Sequence, residues 1–267
     1  MDDKIIKLYN EGKSLAYLSR EFGLSTYKIR QFLIDNNIHI RSRAEQNVFS
    51  NQERSLSVDN QYFNIIDTPK KAWILGFLAA DGTVDKTRNR IKIALSSSDK
   101  EILEKIRAEI KIERKILNTE TNRGYQVSEL SWSSSNHKEQ LKKYGIVPNK
   151  TYLPMFVPNI LSNELKFAFI QGFFDGDGCF KDDGAYCRWE ICAYRPEILQ
   201  SIANIINDEF NINKQVYKDP SRQNYYTLTY STEEAWLILQ KCYTICPLYL
   251  DRKFQKIILW AKRNQRI

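Results

Sequence analysis

The chain has 267 residues, of which 42% are hydrophobic and 27% are charged, so it is long enough for two or three domains with a sizeable core. Its formal net charge of +8 and its pI near 9.1 favour a polyanionic partner. No apolar run is long enough to cross a membrane and the first residues carry no cationic and apolar leader, which predicts an intracellular, cytoplasmic protein that is neither membrane-bound nor secreted.

The first part of the chain, residues 1–47, has the pattern of three short helices. Ser14 is suited to cap a second helix at residues 15–22, Gly23 to form a tight turn, and residues 26–36 to form a third helix. This order resembles the helix-turn-helix of resolvase-type and sigma-type DNA-binding domains, in which the third helix enters the major groove. The alternative is a three-helix packing module or a dimerisation arm.

The outer face expected for the third helix, together with the basic segment behind it, carries the side chains that would contact DNA in this domain. They are Tyr27, Lys28, Arg30, Gln31, Arg41 and Arg43.

A linker is expected at residues 48–68, because the chain there is polar and its first half has no periodicity. The second half contains Tyr62, Phe63, Ile65 and Ile66, which we expect to dock on the domain that follows.

One apolar helix pattern occurs twice beyond this linker. The segment WILGFLAADG at residues 73–82 returns 96 residues further along as FIQGFFDGDG at residues 169–178. Each copy is apolar around most of its circumference, so it should be buried against another helix, and the obvious partner is the other copy. Gly76 and Gly172 each cost about 1 kcal/mol of helix stability and are best explained as the point where the two backbones approach closely.

The pairing of these helices would bring Asp81 and Asp177 together at their ends. Two adjacent carboxylates repel each other unless a proton or a divalent cation lies between them, and oxygen ligands suit Mg²⁺. The duplication therefore predicts a metal site.

Each copy is followed by elements in the same order, which predicts two α-β-β-α-β-β-α repeats at residues 69–158 and 159–267. In the first repeat, the strand after the motif helix places basic side chains on one face and apolar side chains on the other. The basic ones are Arg88, Arg90 and Lys92, and the apolar ones are Ile91, Ile93 and Leu95.

The doubled helix ending in Asp-Gly, the internal repeat and the order of elements resemble the LAGLIDADG homing endonucleases in their single-chain form with two motif copies. The resemblance covers Pro69 to the C-terminus. It implies an α+β fold with two pseudo-symmetric repeats, in which the motif helices pack across a pseudo-twofold axis and two saddle-shaped antiparallel sheets lie along the major groove. The sixth motif position departs from the pattern in the first copy, with Ala79 there and Asp175 in the second.

The resemblance also implies an activity. The chain would be a monomer, encoded by a bacterium or a phage, that hydrolyses both strands of a long pseudo-palindromic or asymmetric DNA target and leaves short 3′ overhangs. Mg²⁺ would be its cofactor, with Mn²⁺ able to substitute. Asp81 and Asp177 occupy the motif's metal-binding position, and the backbone carbonyls of Ala80 and Gly176 would be further ligands.

The family keeps one lysine in each half that orders the water network or neutralises the scissile phosphate. The matching positions are Lys150 in the first repeat and Lys253 in the second, with Arg252 or Lys256 as alternatives to Lys253. Surface lysines without a function are the competing interpretation.

By the same resemblance, the basic sheet faces would read the target in the major groove. The candidate contacts are Lys86, Arg88, Arg90, Lys92, Arg114 and Arg123 in the first repeat, and Lys181, Tyr186, Arg188, Lys214, Lys218 and Arg222 in the second. A solvated sheet face is the alternative for such charged strands.

Other functions remain open beside cleavage. A non-cleaving relative, such as an intron maturase or a transcription regulator, would bind nucleic acid with the same fold. An intein-embedded nuclease is disfavoured, because the chain starts at Met1 without a nucleophile and lacks a terminal His-Asn pair. A purely structural repeat would not explain an Asp at the end of each buried helix.

Overall fold

The computed structural model describes residues 2–56 and 58–267, with the backbone alone for residues 51–56. Met1, in the predicted N-terminal domain, and Ser57, in the predicted linker, lie outside the described residues. The chain divides into two compact units, residues 1–57 and 58–267.

Helices make up the N-terminal unit: α1 (Asp2–Asn10), α2 (Leu15–Phe22), α3 (Thr26–Asp35) and α4 (Arg43–Leu56). The side-chain oxygens of Ser14 and Ser25 accept backbone N–H groups in the first turns of α2 and α3, so both helices are capped. Gly23 ends α2 at φ 66°, a left-handed conformation that favours glycine. Ser19 fixes the turn, because its hydroxyl donates to the carbonyl of Leu24 at 2.7 Å.

A small apolar core holds the first three helices together. It is formed by Ile5, Tyr9, Leu18, Ile29 and Leu33, which are all buried. Three helices with a tight turn between α2 and α3 agree with the helices expected for residues 1–47.

The division between the two units falls within residues 48–68, the range predicted as a linker. Its first half is the continuation of α4, on which Phe49 lies so close to Gly12 that a Cβ there would be 2.7 Å from the ring. The second half docks on the second unit as expected through Tyr62, Phe63 and Ile66, which lie in its core, whereas Ile65 is exposed.

The second unit contains the two repeats in the predicted order. The first repeat comprises α5 (Pro69–Ala80), β1 (Gly82–Val84), β2 (Arg90–Ser96), α6 (Lys100–Glu109), β3 (Leu117–Glu120), β4 (Gln126–Ser133) and α7 (Ser135–Lys142). The second comprises α8 (Asn163–Asp177), β5 (Gly178–Asp183), β6 (Tyr186–Ala193), α9 (Pro196–Phe210), β7 (Tyr217–Lys218), β8 (Tyr226–Ser231), α10 (Thr232–Ile245) and a final α11 (Asp251–Arg263).

Each repeat builds one four-stranded antiparallel sheet. The strand orders are β1-β2-β4-β3 and β5-β6-β8-β7, so the two sheets have the same topology. The α+β class with two pseudo-symmetric repeats and two antiparallel sheets is confirmed.

The motif helices α5 and α8 form the centre of this unit. Thr68 caps α5 ahead of Pro69, and Ser162 caps α8. Almost every residue of both helices beyond the first turn is buried, as expected for helices that are apolar all round. Among the described residues, no helix is long and apolar enough to cross a membrane.

Candidate active site between the two motif helices

The two motif helices touch through their glycines. A Cβ added to Gly76 would lie 2.0 Å from the carbonyl oxygen of Phe169, and one added to Gly172 would lie 2.0 Å from that of Trp73. Trp73 and Phe169 occupy the same position in the two motif copies, so the contact is symmetric. Any side chain at either glycine would therefore force the helices apart.

This approach brings the ends of the helices together at the two acidic positions. Asp81 is the C-cap of α5, and Asp177 is the last residue of α8. A Cβ on Gly176 would lie 3.3 Å from Oδ2 of Asp81, so the end of one helix lies against the acid of the other. Burial, and then the charge of Asp177, raise the pKa of Asp81 to about 6. Burial also raises the pKa of Asp177.

Lys150 and Lys253 each reach the end of a motif helix. Lys150 Nζ donates to the carbonyl of Ala80 at 2.7 Å, from a 3₁₀ turn at Lys150–Tyr152. Lys253, at the start of α11, is buried and donates to the carbonyls of Phe174, Asp175 and Gly178 at 2.7, 2.8 and 2.6 Å, with that of Gly176 at 3.5 Å.

Each ammonium group binds a carbonyl in the last turn of a motif helix, that of Ala80 for Lys150 and that of Asp175 for Lys253, where its charge is favourable. Burial lowers the pKa of Lys253 to about 8 and also lowers the pKa of Lys150, while the nearby carboxylates oppose this shift. In turn, the charges of the two lysines oppose the rise in the pKa of Asp81 and Asp177. The four groups thus form one electrostatic cluster.

Arg252 and Lys256, the two alternatives to Lys253, contact other groups. Arg252 Nε forms an ion pair with the nearly buried carboxylate of Asp99 at 2.9 Å, and Lys256 Nζ donates to the carbonyl of Phe180 at 3.0 Å.

Asp175, at the sixth motif position, is a buried carboxylic acid inside the helix pair. Its Oδ2 accepts a hydrogen bond from Trp73 Nε1 at 3.0 Å, and its Oδ1 accepts one from the hydroxyl of Tyr243 at 3.2 Å. Burial raises the pKa of Asp175 to about 7, against the opposing charge of Lys253. Sequence reasoning gave this position little weight, although an acid in an otherwise apolar helix already indicated a buried partner.

A small cavity beside Asp177 and Lys150 adds two side chains that sequence reasoning missed, Tyr194 and Arg195. They directly follow β6, and Arg195 Nη2 donates to Glu197 at 2.6 Å. The only sequence signal for them is their place at the end of a strand that follows a motif helix.

The oxygen atoms at the helix ends fit a hard divalent cation. Among the residues that the structure describes, no group of three or more His, Cys, Asp or Glu side chains could hold a metal. Mg²⁺ does not need such a group, because it commonly binds through one or two carboxylates together with water and substrate phosphates. Asp81 and Asp177 supply two carboxylates, and the carbonyl of Ala80 retains a second lone pair beside its bond from Lys150.

The predicted DNA contacts of the repeats separate into strand and loop residues. On strands lie Arg90, Lys92, Lys181, Tyr186, Arg188 and Lys218; in turns and loops lie Lys86, Arg88, Arg114, Arg123, Lys214 and Arg222. Arg88 was expected on the same strand face as Arg90 and Lys92, which is wrong because β2 begins at Arg90. Asp85 forms the turn before it by accepting the backbone N–H groups of Thr87 and Arg88, both at 2.8 Å.

Several of these basic side chains are paired with acids. The distances are 3.7 Å for Lys92 to Glu129, 2.7 Å for Lys181 to Glu190, 2.8 Å for Arg188 to Asp183, 3.0 Å for Lys214 to Glu234 and 3.7 Å for Arg222 to Asp219. Arg90 also pairs with Glu129. The sheet faces are therefore charged surfaces of mixed sign rather than uniformly basic ones.

In the N-terminal unit, most of the predicted contacts are accessible: Tyr27, Lys28, Arg30, Gln31 and Arg43 are exposed. Arg41 is different. Its guanidinium carbon lies 3.9 Å from the ring centroid of Tyr9 and 4.6 Å from that of Phe49, and Nη2 donates to the carbonyl of Lys13 at 2.7 Å. The half-buried side chain of Arg41 thus packs within this unit, and its contact with DNA stays a prediction.

Comparison with known proteins agrees with this architecture. The model of the LAGLIDADG-like domain family matches the chain twice, at residues 68–145 and 164–243, which together make up more than half of its length. An uncharacterized protein of Methanocaldococcus jannaschii is 26% identical over 158 residues, covering 56% of this chain and 53% of that protein. The chain thus spans about half the length of the curated relative it matches.

Solved structures of similar fold include DNA-bound proteins. The homing endonuclease I-WcaI bound to its DNA recognition sequence has a TM-score of 0.50 and 12% identity, covering 72% of this chain and 90% of that one. The N-terminal LAGLIDADG domain of DUF199/WhiA has a TM-score of 0.46 and 17% identity, covering 71% of this chain and 90% of that one.

Proposed function

The chain belongs to the LAGLIDADG-like domain family, and from this premise we propose that it is a site-specific endonuclease that cuts both strands of duplex DNA. The observation that carries the proposal is the pair Asp81 and Asp177 at the ends of two helices whose backbones touch, with Asp81 half-buried and Asp177 exposed to solvent. A fold kept only for binding has no use for an aspartate at both helix ends, where burial and the charge of Asp177 make ionisation of Asp81 more costly.

Divalent ions, Mg²⁺ or Mn²⁺, would be held by Asp81 and Asp177, with the carbonyls of Ala80 and Gly176 as further oxygen donors. When bound, such an ion supplies an activated water and stabilises both the charge of the transition state and the leaving oxygen. Each carboxylate lies at the end of its own helix, so each would take part in cutting one strand of the DNA duplex. The paired cuts then fall across the minor groove and leave short 3′ overhangs.

Lys150 and Lys253 act as positioning groups in this proposal. Their bonds to the last carbonyls of the motif helices hold the helix ends, and their charges keep the carboxylates ionised against the effect of burial. A phosphate entering the site would meet these two ammonium groups next to the acids, which offsets its repulsion from the carboxylates.

The two sheets provide the surface for the substrate. Each repeat contributes one sheet and one carboxylate, so a monomer would meet one half-site of a long target with each repeat. The exposed face of α3, with Lys28 and Arg30, would add contacts from the N-terminal unit, whose span we place at residues 1–57.

The deciding experiment is a cleavage selection on a randomised duplex library with Mg²⁺, comparing the wild-type chain with Asp81→Asn and Asp177→Asn. We expect site-specific double-strand cutting by the wild type, loss of cutting or a reduction to nicking in either variant, and retained binding in both. Asp208→Asn, at an exposed position of α9, is the matched control and should cut normally. A wild-type chain that binds a specific DNA site and never cuts it would overturn cleavage in favour of a maturase or a regulator.

A further inference from the structure

Strand register gives an exact correspondence between the two sheets. The glycine that ends each motif pairs with an isoleucine on the next strand: Gly82 with Ile93, and Gly178 with Ile191. Counting back one residue from each isoleucine aligns Lys92 on β2 with Glu190 on β6. The two repeats therefore carry opposite charges at one equivalent position.

Both side chains lie on the sheet face that is turned away from the core. Their neighbours Ile93 and Ile191 are completely buried, and successive residues of a strand point to opposite faces. The side chains of Lys92 and Glu190 are 37% and 17% exposed, respectively. Each sits near the middle of its sheet, paired with β1 and β4 in one case and with β5 and β8 in the other.

The ammonium group of Lys92 is only loosely paired. Its ammonium lies 3.7 Å from Glu129, whose other oxygen is taken by Arg90. An ammonium has three N–H donors, so one loose ion pair leaves the others available to a base or a phosphate.

Two contacts hold the carboxylate of Glu190, and it keeps the capacity to accept a further hydrogen bond. Lys181 donates to its Oε1 at 2.7 Å, and the hydroxyl of Thr229 lies 3.4 Å from its Oε2. An ionised carboxylate offers about four acceptor sites, so Glu190 can still accept a hydrogen bond from outside the sheet. On a face that meets a polyanion, the Lys181 ion pair offsets part of the charge of Glu190, and the remaining acceptor sites of its carboxylate suit a base edge rather than a phosphate.

From these contacts we propose that Lys92 and Glu190 are specificity-determining residues that read opposite bases at symmetry-related positions of the target. This inference rests on the proposed function. Lysine donates to O6 and N7 of guanine, and glutamate accepts from N4 of cytosine in the major groove. The half-site bound by the first repeat carries guanine where the half-site bound by the second carries cytosine, so the target departs from a palindrome at this pair of positions.

The test is a binding selection of randomised duplex DNA by the full chain in Ca²⁺, which scores base preference separately from cutting. The wild type should select guanine and cytosine at the two related positions. Lys92→Glu should change the preference of the first half-site alone to cytosine, and Glu190→Lys that of the second alone to guanine, so that either exchange makes the selected target symmetric there. Lys92→Gln and Glu190→Gln, which keep size without charge, should each lose about fivefold or more in discrimination at one position.

Glu139→Gln is the charge-matched control, because Glu139 is exposed on helix α7 and belongs to neither sheet. It should leave every base preference unchanged. Variants at Lys92 and Glu190 that alter affinity equally for all bases would overturn this inference alone. A wild-type chain that binds DNA without any sequence preference would overturn the proposed site-specific function, and this inference with it.

Discussion

The indole nitrogen of Trp73 donates a hydrogen bond of 3.0 Å to the buried carboxyl of Asp175 across the interface of the two motif helices. In the pseudo-symmetric position, the first motif has Ala79 in place of Asp175, and the second has Phe169 in place of Trp73. The donor and the acceptor are thus present together on one side and absent together on the other. The departure of the first motif at its sixth position is explained by this paired exchange.

The pair Trp73 and Asp175 should behave as one unit in unfolding experiments. We expect Asp175→Ala to lower the free energy of unfolding by about 3 kcal/mol, because it leaves the indole N–H and the Tyr243 hydroxyl without their acceptor. Trp73→Phe, which removes the donor, should also be destabilising. The double variant should lose clearly less than the sum of the single changes, by about 1 kcal/mol or more, because it recreates the apolar pair of the other side.

Urea titration of the second unit measures all three variants, and Asp208→Ala at an exposed site should change stability by less than about 0.5 kcal/mol. Strict additivity of the two single changes would contradict the coupling.

Substitution of a motif glycine should disrupt the contact between the two helices. In Gly172→Ala, the added methyl would lie 2.0 Å from the carbonyl of Trp73, and helix backbone cannot give way at that point. We expect a loss of about 3 kcal/mol or more in stability and the loss of any cutting, although alanine by itself favours a helix. Glu164→Ala, exposed at the start of the same helix, is the control for helix propensity. A variant as stable as the wild type would show that the helices are not in backbone contact.

The helix pair was predictable because its signal is local and occurs twice. An apolar helix with a central glycine requires a partner, and the second copy of the sequence supplies it, so Gly76, Gly172 and the paired repeats follow from residue pattern alone. The same pattern could not reveal which basic residues of the sheets are already paired. Lys92, for example, shares Glu129 with Arg90 across two strands, a contact that depends on strand register.

Sequence reasoning missed two features of the N-terminal unit. Helix α4 begins with a capping box, in which the side chains of Ser42 and Glu45 each accept the other's backbone N–H, and Gln46 and Phe49 tie it to Gly12, far away in the sequence. Arg41 was expected to be a surface cation, because composition does not reveal that its guanidinium stacks between the rings of Tyr9 and Phe49.

Acid should weaken the second unit through His137, a buried side chain at the start of α7. Trp132 Nε1 donates to its Nδ1 at 3.0 Å, and its Nε2 lies 2.6 Å from the carbonyl of Asp59, so a neutral ring with its proton on Nε2 satisfies both partners. Burial lowers the pKa of His137 below its ordinary value of 6.5. Below that value the unfolded chain binds a proton that the folded chain refuses, so stability falls as the pH falls, by up to about 1.4 kcal/mol per pH unit.

Urea titrations between pH 7.5 and 5 test this effect as a difference between variants. His137→Gln keeps one donor and one acceptor but removes the titrating group, so its loss of stability in acid should be smaller than that of the wild type. His39→Gln, at an exposed position of the N-terminal unit, removes the other histidine and should keep the wild-type slope. Equal slopes for His137→Gln and the wild type would refute the assignment.

Basic residues of the N-terminal unit should divide into two groups with opposite phenotypes. Lys28→Ala and Arg30→Ala remove exposed charges from α3, so each should weaken DNA binding and reduce the salt dependence of the binding constant by about one phosphate contact, with little effect on folding. Arg41→Lys keeps the charge but loses the planar stack between Tyr9 and Phe49, so it should lower the stability of this unit by about 1–2 kcal/mol. Binding isotherms at several salt concentrations and thermal unfolding of each variant separate the groups. If Lys28→Ala and Arg30→Ala leave both affinity and salt dependence unchanged, the face of α3 does not bind DNA, and the unit is a packing module.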